Sequence, residues 1–276
     1  MKRLAALALL IVPAACGGGD NTPEPAPANN SPAPVVDRED RIAKALALLE
    51  RGQKLLDAGD AKAALPLLEE AAELDQLDWR IQFSLAKAYE TLRRFAEARG
   101  HYVNVAKRAP GADRLAAEER AAYCSHQLAN DAYRAGQYKV ALEHVRDGLK
   151  LRPTDADMNL LLGYVQQVRG EYAEAEGAFR LAAELFNDAR KREALYWLGQ
   201  ALFAQEKYAE TVEVYTGLIN QRVTSNDIYG WRAYCHAALG NRAEARRDFA
   251  KAIEYATSPE KRAEYMDQAS KLAEGG

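Results

Sequence analysis

The chain has 276 residues, of which 48% are hydrophobic and 28% are charged, and its formal net charge is −3. A nucleic-acid-binding protein usually shows a basic excess, so the charge argues against a nucleic-acid partner. No run of about 18 apolar residues follows the N-terminus, which argues against an internal membrane span.

The first sixteen residues, MKRLAALALLIVPAAC, have the layout of a signal peptide. Two cations precede an apolar run from Leu4 to Val12, and small residues then lead to a cysteine. The apolar run is too short to cross a bilayer as a helix. Without these sixteen residues the chain keeps 35 basic and 40 acidic side chains, a net charge of −5.

The end of this segment, where Ala14 and Ala15 precede Cys16, resembles a bacterial lipobox. Pro13 stands where that family prefers leucine. The resemblance implies that Cys16 becomes the mature N-terminus and carries the acyl chains that anchor the protein to a membrane. Gly17 resembles the signal for release to the outer membrane, with the protein body facing the periplasm. An ordinary secretory signal with an incidental Cys16 is the alternative.

Residues 17–36 are expected to form a disordered linker. Their sequence, GGGDNTPEPAPANNSPAPVV, is rich in glycine, proline, alanine and asparagine and has no apolar periodicity. Such a segment buries too little apolar surface to become ordered. As a flexible coil it would span on the order of 25 Å, which would let the folded part stand away from the membrane.

After residue 37 the composition is helical, with alanine, leucine, glutamate, lysine and arginine dominant. One seven-residue pattern recurs six times there, as AGDAKAA, LRRFAEA, AGQYKVA, RGEYAEA, QEKYAET and LGNRAEA. The last residues of the copies are Ala64, Ala98, Ala141, Ala175, Thr211 and Ala245, separated by 34, 43, 34, 36 and 34 residues. This spacing resembles the tetratricopeptide repeat, a pair of antiparallel helices.

Other positions keep the same register. Twelve residues before each of those six positions stands a small residue: Gly52, Ala86, Ala129, Gly163, Gly199 and Ala233. Four residues after them stands a bulky one: Leu68, Tyr102, Val145, Phe179, Tyr215 and Phe249. Small residues let the two helix backbones approach each other, and the bulky side chain fills the space beside them. The turn glycines Gly59, Gly136, Gly170 and Gly240 are expected to adopt the left-handed conformation that ends a helix.

The resemblance implies an all-α fold, a right-handed α-solenoid of about six helix hairpins over residues 37–276. One hairpin cannot bury both of its faces, so the copies stack on one another. The expected repeats cover residues 45–78, 79–112, 122–155, 156–191, 192–225 and 226–259.

Three further helix boundaries are predicted. A first helix runs from Asp37 through Ala58. Nine extra residues before the third repeat, 113–121, have helical propensity and extend its first helix, with Asp113 as N-cap. Ser258 is the expected N-cap of a polar capping helix over residues 259–273, with proline at its first position.

We find no sequence signature of catalysis. The chain lacks the common nucleotide-binding, zinc-protease and serine-hydrolase motifs. Cys124 and Cys235 have His126 and His236 as near neighbours, but the two pairs lie three repeats apart. This separation is too large for a shared metal site or a disulfide, so we expect two buried free thiols. The sequence predicts no enzyme activity, no cofactor, no metal and no small-molecule substrate.

The resemblance also implies a binding surface, because the first helix of each repeat lines a concave groove through five of its positions. The aromatic residues at these positions are Phe83, Tyr123, Tyr133, Tyr164, Tyr196, Phe203 and Tyr234. Polar residues among them are Lys87, His126, Asn130, Arg134 and Gln200. Such a lining suits an extended or helical peptide of a protein partner. The alternative is that several of these rings only pack between repeats.

One subfamily of these repeats grips a C-terminal carboxylate through lysine, asparagine and arginine side chains. Most of that clamp is missing here, since Glu193 and Trp197 stand where cations are expected. We therefore do not predict recognition of a C-terminal carboxylate.

The sequence thus predicts a membrane-anchored protein–protein interaction scaffold or assembly factor of the cell envelope. Its layout resembles the pilotin-like lipoproteins that assist secretin assembly in type IV pilus systems. More loosely, it resembles the repeat lipoprotein of the β-barrel assembly machine, so outer-membrane protein assembly is an alternative. A regulator or adaptor of peptidoglycan enzymes and a purely structural spacer are the others.

Overall fold

The computed structural model describes residues 38–187 and 189–274. The predicted signal peptide, lipobox, linker and Asp37 lie outside these residues. Every regular element in the described chain is an α-helix. The helices are α1 (Arg38–Asp57), α2 (Ala61–Leu74), α3 (Trp79–Thr91), α4 (Phe95–Ala106), α5 (Gly111–Arg134), α6 (Tyr138–Leu151), α7 (Ala156–Val168), α8 (Tyr172–Leu185), α9 (Ala189–Ala204), α10 (Tyr208–Asn220), α11 (Asn226–Ala238), α12 (Arg242–Tyr255) and α13 (Pro259–Glu274).

The helices form six hairpins that stack in chain order. Each helix packs mainly on the helices before and after it in the sequence. We call α1, α3, α5, α7, α9 and α11 the first helices of the hairpins, and α2, α4, α6, α8, α10 and α12 the second helices. The last helix, α13, packs on α12. This arrangement of neighbours confirms the predicted all-α solenoid.

In the repeats with glycine at the small position, the small and bulky positions meet as the sequence predicts. A Cβ atom added to Gly163 would lie 2.4 Å from the Phe179 ring. A Cβ atom on Gly199 would lie 2.5 Å from the ring of Tyr215. Phe179 and Tyr215 are both fully buried. The two helices of a hairpin therefore approach each other closely where a residue without a side chain faces a large ring.

Four hairpin turns contain the predicted left-handed glycine, at Gly59, Gly136, Gly170 and Gly240. In the other two hairpins Arg93 and Glu206 take this conformation, with φ angles of 58° and 59°. A non-glycine residue in this region costs roughly 1–2 kcal/mol. The repeat geometry therefore demands the left-handed turn even where the sequence supplies no glycine.

The long helix α5, Gly111–Arg134, contains the nine extra residues of the third repeat. The prediction that Asp113 caps this helix is wrong, because Pro110 is the N-cap and Asp113 lies in the first turn. Pro110 lacks an N–H and has an extended conformation, so the new helix starts directly after it. At α13 the Ser258 Oγ accepts a hydrogen bond from the Lys261 N–H at 3.3 Å, which confirms the predicted cap.

Cys124 and Cys235 are buried and form no disulfide, as the sequence predicts. Burial raises the pKa of the Cys124 thiol to about 11 and that of Cys235 to about 12. Both groups therefore behave as small apolar core side chains at neutral pH.

Candidate functional site

The predicted groove residues all belong to the first helices, and we call the surface that they share the first-helix face. Tyr123 is 41% exposed. Lys87 and Arg134 are exposed as well. The other predicted residues are half-buried: Phe83, His126, Asn130, Tyr133, Tyr164, Tyr196, Gln200, Phe203 and Tyr234. The face therefore combines part-exposed rings with a few exposed charges.

Aromatic side chains of successive first helices touch one another in the middle of this face. The rings of Tyr133 on α5 and Tyr164 on α7 have centroids 6.4 Å apart. The Tyr164 ring lies 5.4 Å from Trp197 on α9, and Trp197 lies 5.5 Å from Tyr196. These separations are typical of interacting aromatic pairs. The three helices thus share one line of aromatic contacts.

A second set of contacts joins α9 to α11. The rings of Phe203 and Trp231 have centroids 4.8 Å apart, and Trp231 lies 5.9 Å from Tyr234. We call the two sets together the aromatic stripe. Its members are Tyr133, Tyr164, Tyr196, Trp197, Phe203, Trp231 and Tyr234.

The two tryptophans of the stripe were not among the predicted groove residues. Trp197 and Trp231 do not occupy the five groove positions of the resemblance, although each directly follows one of them. They are 34 residues apart, one repeat, and that spacing was the signal that could have identified them.

Carboxylates on α9 and α13 accept hydrogen bonds from two of the tyrosine hydroxyls. The Tyr164 hydroxyl donates to Glu193 Oε1 on α9 at 2.7 Å. The Tyr234 hydroxyl donates to Glu264 Oε1 on α13 at 2.8 Å. Burial and then the carboxylate bond raise the pKa of both tyrosines, so both hydroxyls stay protonated as donors. These bonds fix the rings between neighbouring repeats.

Two tyrosines of the stripe also pack against buried aromatic residues of the core. The Tyr164 ring packs edge-on against buried Phe179 at 5.6 Å, and Tyr196 lies 6.2 Å from buried Tyr215. Gln200 Nε2 donates to the Tyr215 hydroxyl at 3.2 Å. One side of the Tyr164 and Tyr196 rings therefore packs against the core. The rest of each ring stays part-exposed, and these core contacts hold the side chain in place.

The predicted residues of the N-terminal half lie apart from the stripe. Phe83 and Lys87 line a cavity of about 190 Å³ between α3 and α5. Tyr123 and His126 line another, of about 350 Å³, with residues from the start of α7. The Arg120 guanidinium lies 4.9 Å from the Tyr123 ring. Within the described chain no ring contact joins Phe83 or Tyr123 to the stripe.

A cavity of about 560 Å³ is lined by residues of α2, α3 and α4, and no predicted groove residue lines it. There the Tyr89 ring stacks on His101 at 5.4 Å, and the Tyr89 hydroxyl donates to Glu69 Oε1 at 2.7 Å. His101 Nδ1 lies 2.7 Å from Gln82 Oε1, and burial lowers the pKa of His101. No sequence motif indicated this cavity.

Between residues 38 and 274, Asp188 apart, no three His, Cys, Asp or Glu side chains are placed to hold a metal ion together. No described helix combines the length and apolar character that crossing a membrane requires. The absence of a metal or cofactor remains a prediction.

Several solved structures are similar to the chain at low sequence identity. A chain of Naa15/Naa10 bound to HypK-THB is 14% identical with a TM-score of 0.55, covering 85% of this chain and 35% of that one. A chain of the APC/C hetero-tetramer Cut9–Hcn1 is 16% identical with a TM-score of 0.48, covering 85% and 44%. Pseudomonas aeruginosa PilF is 16% identical with a TM-score of 0.46, covering 83% and 99%. The chain thus spans less than half the length of the first two.

Sequence comparison identifies the repeats themselves. No curated protein sequence matches the chain. A family model described as tetratricopeptide repeat matches residues 43–113, 126–190 and 179–227. A second tetratricopeptide repeat model matches residues 227–259. These matches cover more than half of the sequence, and the chain belongs to the tetratricopeptide repeat family.

Proposed function

We propose that this protein is a membrane-anchored scaffold of the cell envelope that binds a peptide or helix of a partner protein on its first-helix face. Tetratricopeptide repeats are typically non-catalytic scaffolds for protein–protein interaction. The observation that carries the proposal here is the aromatic stripe, which runs across four successive first helices.

Three properties of the stripe suit a protein partner. Tyrosine and tryptophan give a large contact area at a low cost in side-chain entropy, and they are enriched at binding hot spots. Their rings are already fixed by core packing and by bonds such as Tyr164 to Glu193, so little further ordering is needed on binding. The stripe crosses four successive first helices, which suits the docking of an extended or helical segment.

The membrane anchor and the cellular process are part of the same proposal. The lipobox-like residues before Cys16 support lipidation there, and Gly17 supports an outer-membrane location facing the periplasm. The combination of a lipobox-like N-terminus with six repeats is similar to pilotin-like lipoproteins. Secretin or pilus biogenesis is therefore the process that we propose for the scaffold.

In-cell photo-crosslinking tests the proposed binding face. A photo-reactive amino acid would replace Arg134, which is exposed on α5 next to the stripe. The matched control would replace Glu174, which is exposed on the second helix α8. We expect one dominant protein to be captured from position 134 and not from position 174. Equal capture from both positions, or capture from position 174 alone, would contradict the proposal.

A further inference from the structure

The charged residues of the first-helix face are divided by sign along the chain. In repeats 2 and 3 the five groove positions carry three cations and one carboxylate: Arg80, Lys87, Arg134 and Glu90. In repeats 4 to 6 the same positions carry three carboxylates and no cation: Asp157, Glu193 and Asp227. Basic residues therefore dominate one half of the face and acidic residues the other.

Several of these charges are neutralised by ion pairs. The pairs are Arg80–Asp78, Glu90–Arg120 and Asp157–Arg190. Lys87 and Arg134 form no ion pair with any described residue. Glu193 and Asp227 likewise have no cation as an ion-pair partner in the described chain. Two cations in the N-terminal half and two carboxylates in the C-terminal half thus lack an ion-pair partner. Of the two carboxylates, Asp227 interacts electrostatically with Lys261 on α13, so Glu193 is the one with the weaker compensation by a nearby cation.

Both of these carboxylates accept a hydrogen bond from a tyrosine hydroxyl. Glu193 accepts the hydroxyl of Tyr164 at 2.7 Å. Asp227 Oδ1 lies 3.4 Å from the hydroxyl of Tyr265, and it acts electrostatically on Tyr196. These bonds hold the carboxylates next to rings, and they leave oxygen lone pairs free for another donor.

A surface of this kind attracts a cation in two ways. Carboxylates attract lysine and arginine side chains directly, and the faces of tyrosine and tryptophan rings attract them through the ring quadrupole. Lys191 and Arg192, in the first turn of α9, occupy none of the five groove positions. Repeats 5 and 6 therefore fit an apolar segment that carries basic side chains.

We propose that the partner segment carries opposite charges at its two ends and that its basic end lies on repeats 5 and 6. Its acidic end then lies on repeats 2 and 3, near Lys87 and Arg134. This inference rests on the proposed function, since it specifies the partner of the same face. Segregated charges of this kind set the direction of docking and exclude segments of the wrong charge pattern more than they raise affinity.

Synthetic amphipathic peptides test the inference with the full-length chain in detergent. Three peptides would share their apolar positions and differ at their polar positions, which hold lysine throughout, glutamate throughout, or lysine in one half and glutamate in the other. Affinity would be measured by fluorescence anisotropy. We expect the mixed peptide to bind about threefold to tenfold more tightly than either of the others.

Charge variants of the protein test which repeats bind the basic end and which bind the acidic end of the peptide. Glu193→Lys should weaken binding of the lysine peptide about tenfold without weakening the glutamate peptide. Glu193→Gln, which keeps an acceptor for the Tyr164 hydroxyl, should weaken the lysine peptide about threefold. Lys87→Glu should weaken the glutamate peptide and the mixed peptide without weakening the lysine peptide. The control Glu174→Lys, on the second helix α8, should change none of the three affinities.

The outcomes separate the inference from the proposed function. Equal binding of all three peptides, unchanged by Glu193→Lys and Lys87→Glu, would overturn the charge assignment but agree with peptide binding on the face. Binding of none of the three peptides would contradict the proposed function and the inference with it.

Discussion

Gly163 on α7 faces the buried ring of Phe179 on α8 within the fourth hairpin. The Gly163→Ala variant would place a Cβ atom 2.4 Å from the buried Phe179 ring, so the helices must move apart. We expect this substitution to lower the free energy of unfolding by about 1–3 kcal/mol. Urea denaturation followed by circular dichroism measures the change.

Gly177 provides the matched control for this substitution. It lies in α8 of the same hairpin, and nothing is within 4 Å of a Cβ atom added there. Gly177→Ala should therefore raise the free energy of unfolding by about 0.5–1 kcal/mol, since alanine is the better helix former. Destabilisation by both variants would show that the close approach at Gly163 is not the cause.

The buried thiols give a second prediction at the residue scale. In a Cys16→Ser variant, Cys124 and Cys235 should not react with a disulfide reagent at pH 8 until urea unfolds the chain. Both thiols are buried, and burial holds the pKa of Cys124 at about 11 and that of Cys235 at about 12. Rapid reaction of either thiol in the native protein would contradict the structure.

The same pKa values set a pH dependence of stability. A thiol of the unfolded chain ionises near its ordinary pKa of about 8.5. The folded thiols keep their protons to about pH 11 and 12. The unfolded state therefore binds fewer protons between these values, and the free energy of unfolding should fall as the pH rises through that range. The fall should be smaller in Cys235→Ala.

Individual residues show where sequence reasoning succeeds and where it stops. The left-handed turns at Gly59 and Gly136 were predictable because glycine has no Cβ atom to clash there. Those at Arg93 and Glu206 were not, because the strain is imposed by helix packing and leaves no trace in the residue type. The packing of the two helices thus sets the backbone conformation of a turn whose residue types do not predict it.

At the scale of the element, the final helix covers the last exposed face of the array. Tyr265 on α13 is 2% exposed, and its ring lies 6.2 Å from that of Phe249. Tyr265→Ala should lower the stability of the C-terminal hairpin by about 3 kcal/mol. Hydrogen exchange should become faster in α11, α12 and α13 and stay unchanged in α3 and α4, because each repeat depends mainly on its neighbours.

The neighbouring residue gives the control for the capping helix. Met266 is 54% exposed, and Met266→Ala should change stability by no more than about 0.5 kcal/mol. Faster exchange throughout the chain in Tyr265→Ala would contradict the local dependence of the repeats. Equal effects of the two substitutions would contradict the role of the buried ring.

The elements were easier to predict than the surface that they form. The repeat period and the nine-residue extension of α5 follow from spacing and helical propensity. The contact between Tyr133 and Tyr164 does not, because it depends on how two hairpins pack. The contact of Trp197 with Tyr164 was not predicted either, because Trp197 lies outside the five groove positions that the resemblance gives. The carboxylate partners of the tyrosines also come from the next repeat.

At the scale of the whole molecule, the proposed anchor makes a direct prediction. Cys16→Ser should move the protein from the membrane fraction to the soluble fraction, because the acyl chains would have no attachment site. Cell fractionation and immunoblotting measure the distribution. Cys124→Ala, which changes a cysteine of the folded part, should leave the protein with the membrane. Membrane association of Cys16→Ser would contradict lipidation at this residue.

The central claim is that the partner binds the first-helix face and not the second helices. The most direct measurement is hydrogen–deuterium exchange of the full-length chain with and without the partner captured by crosslinking. We predict slower exchange in α5, α7, α9 and α11, which carry the aromatic stripe, and no change in α6, α8 and α10. Protection of α6, α8 and α10 with no change in the first helices would contradict the claim.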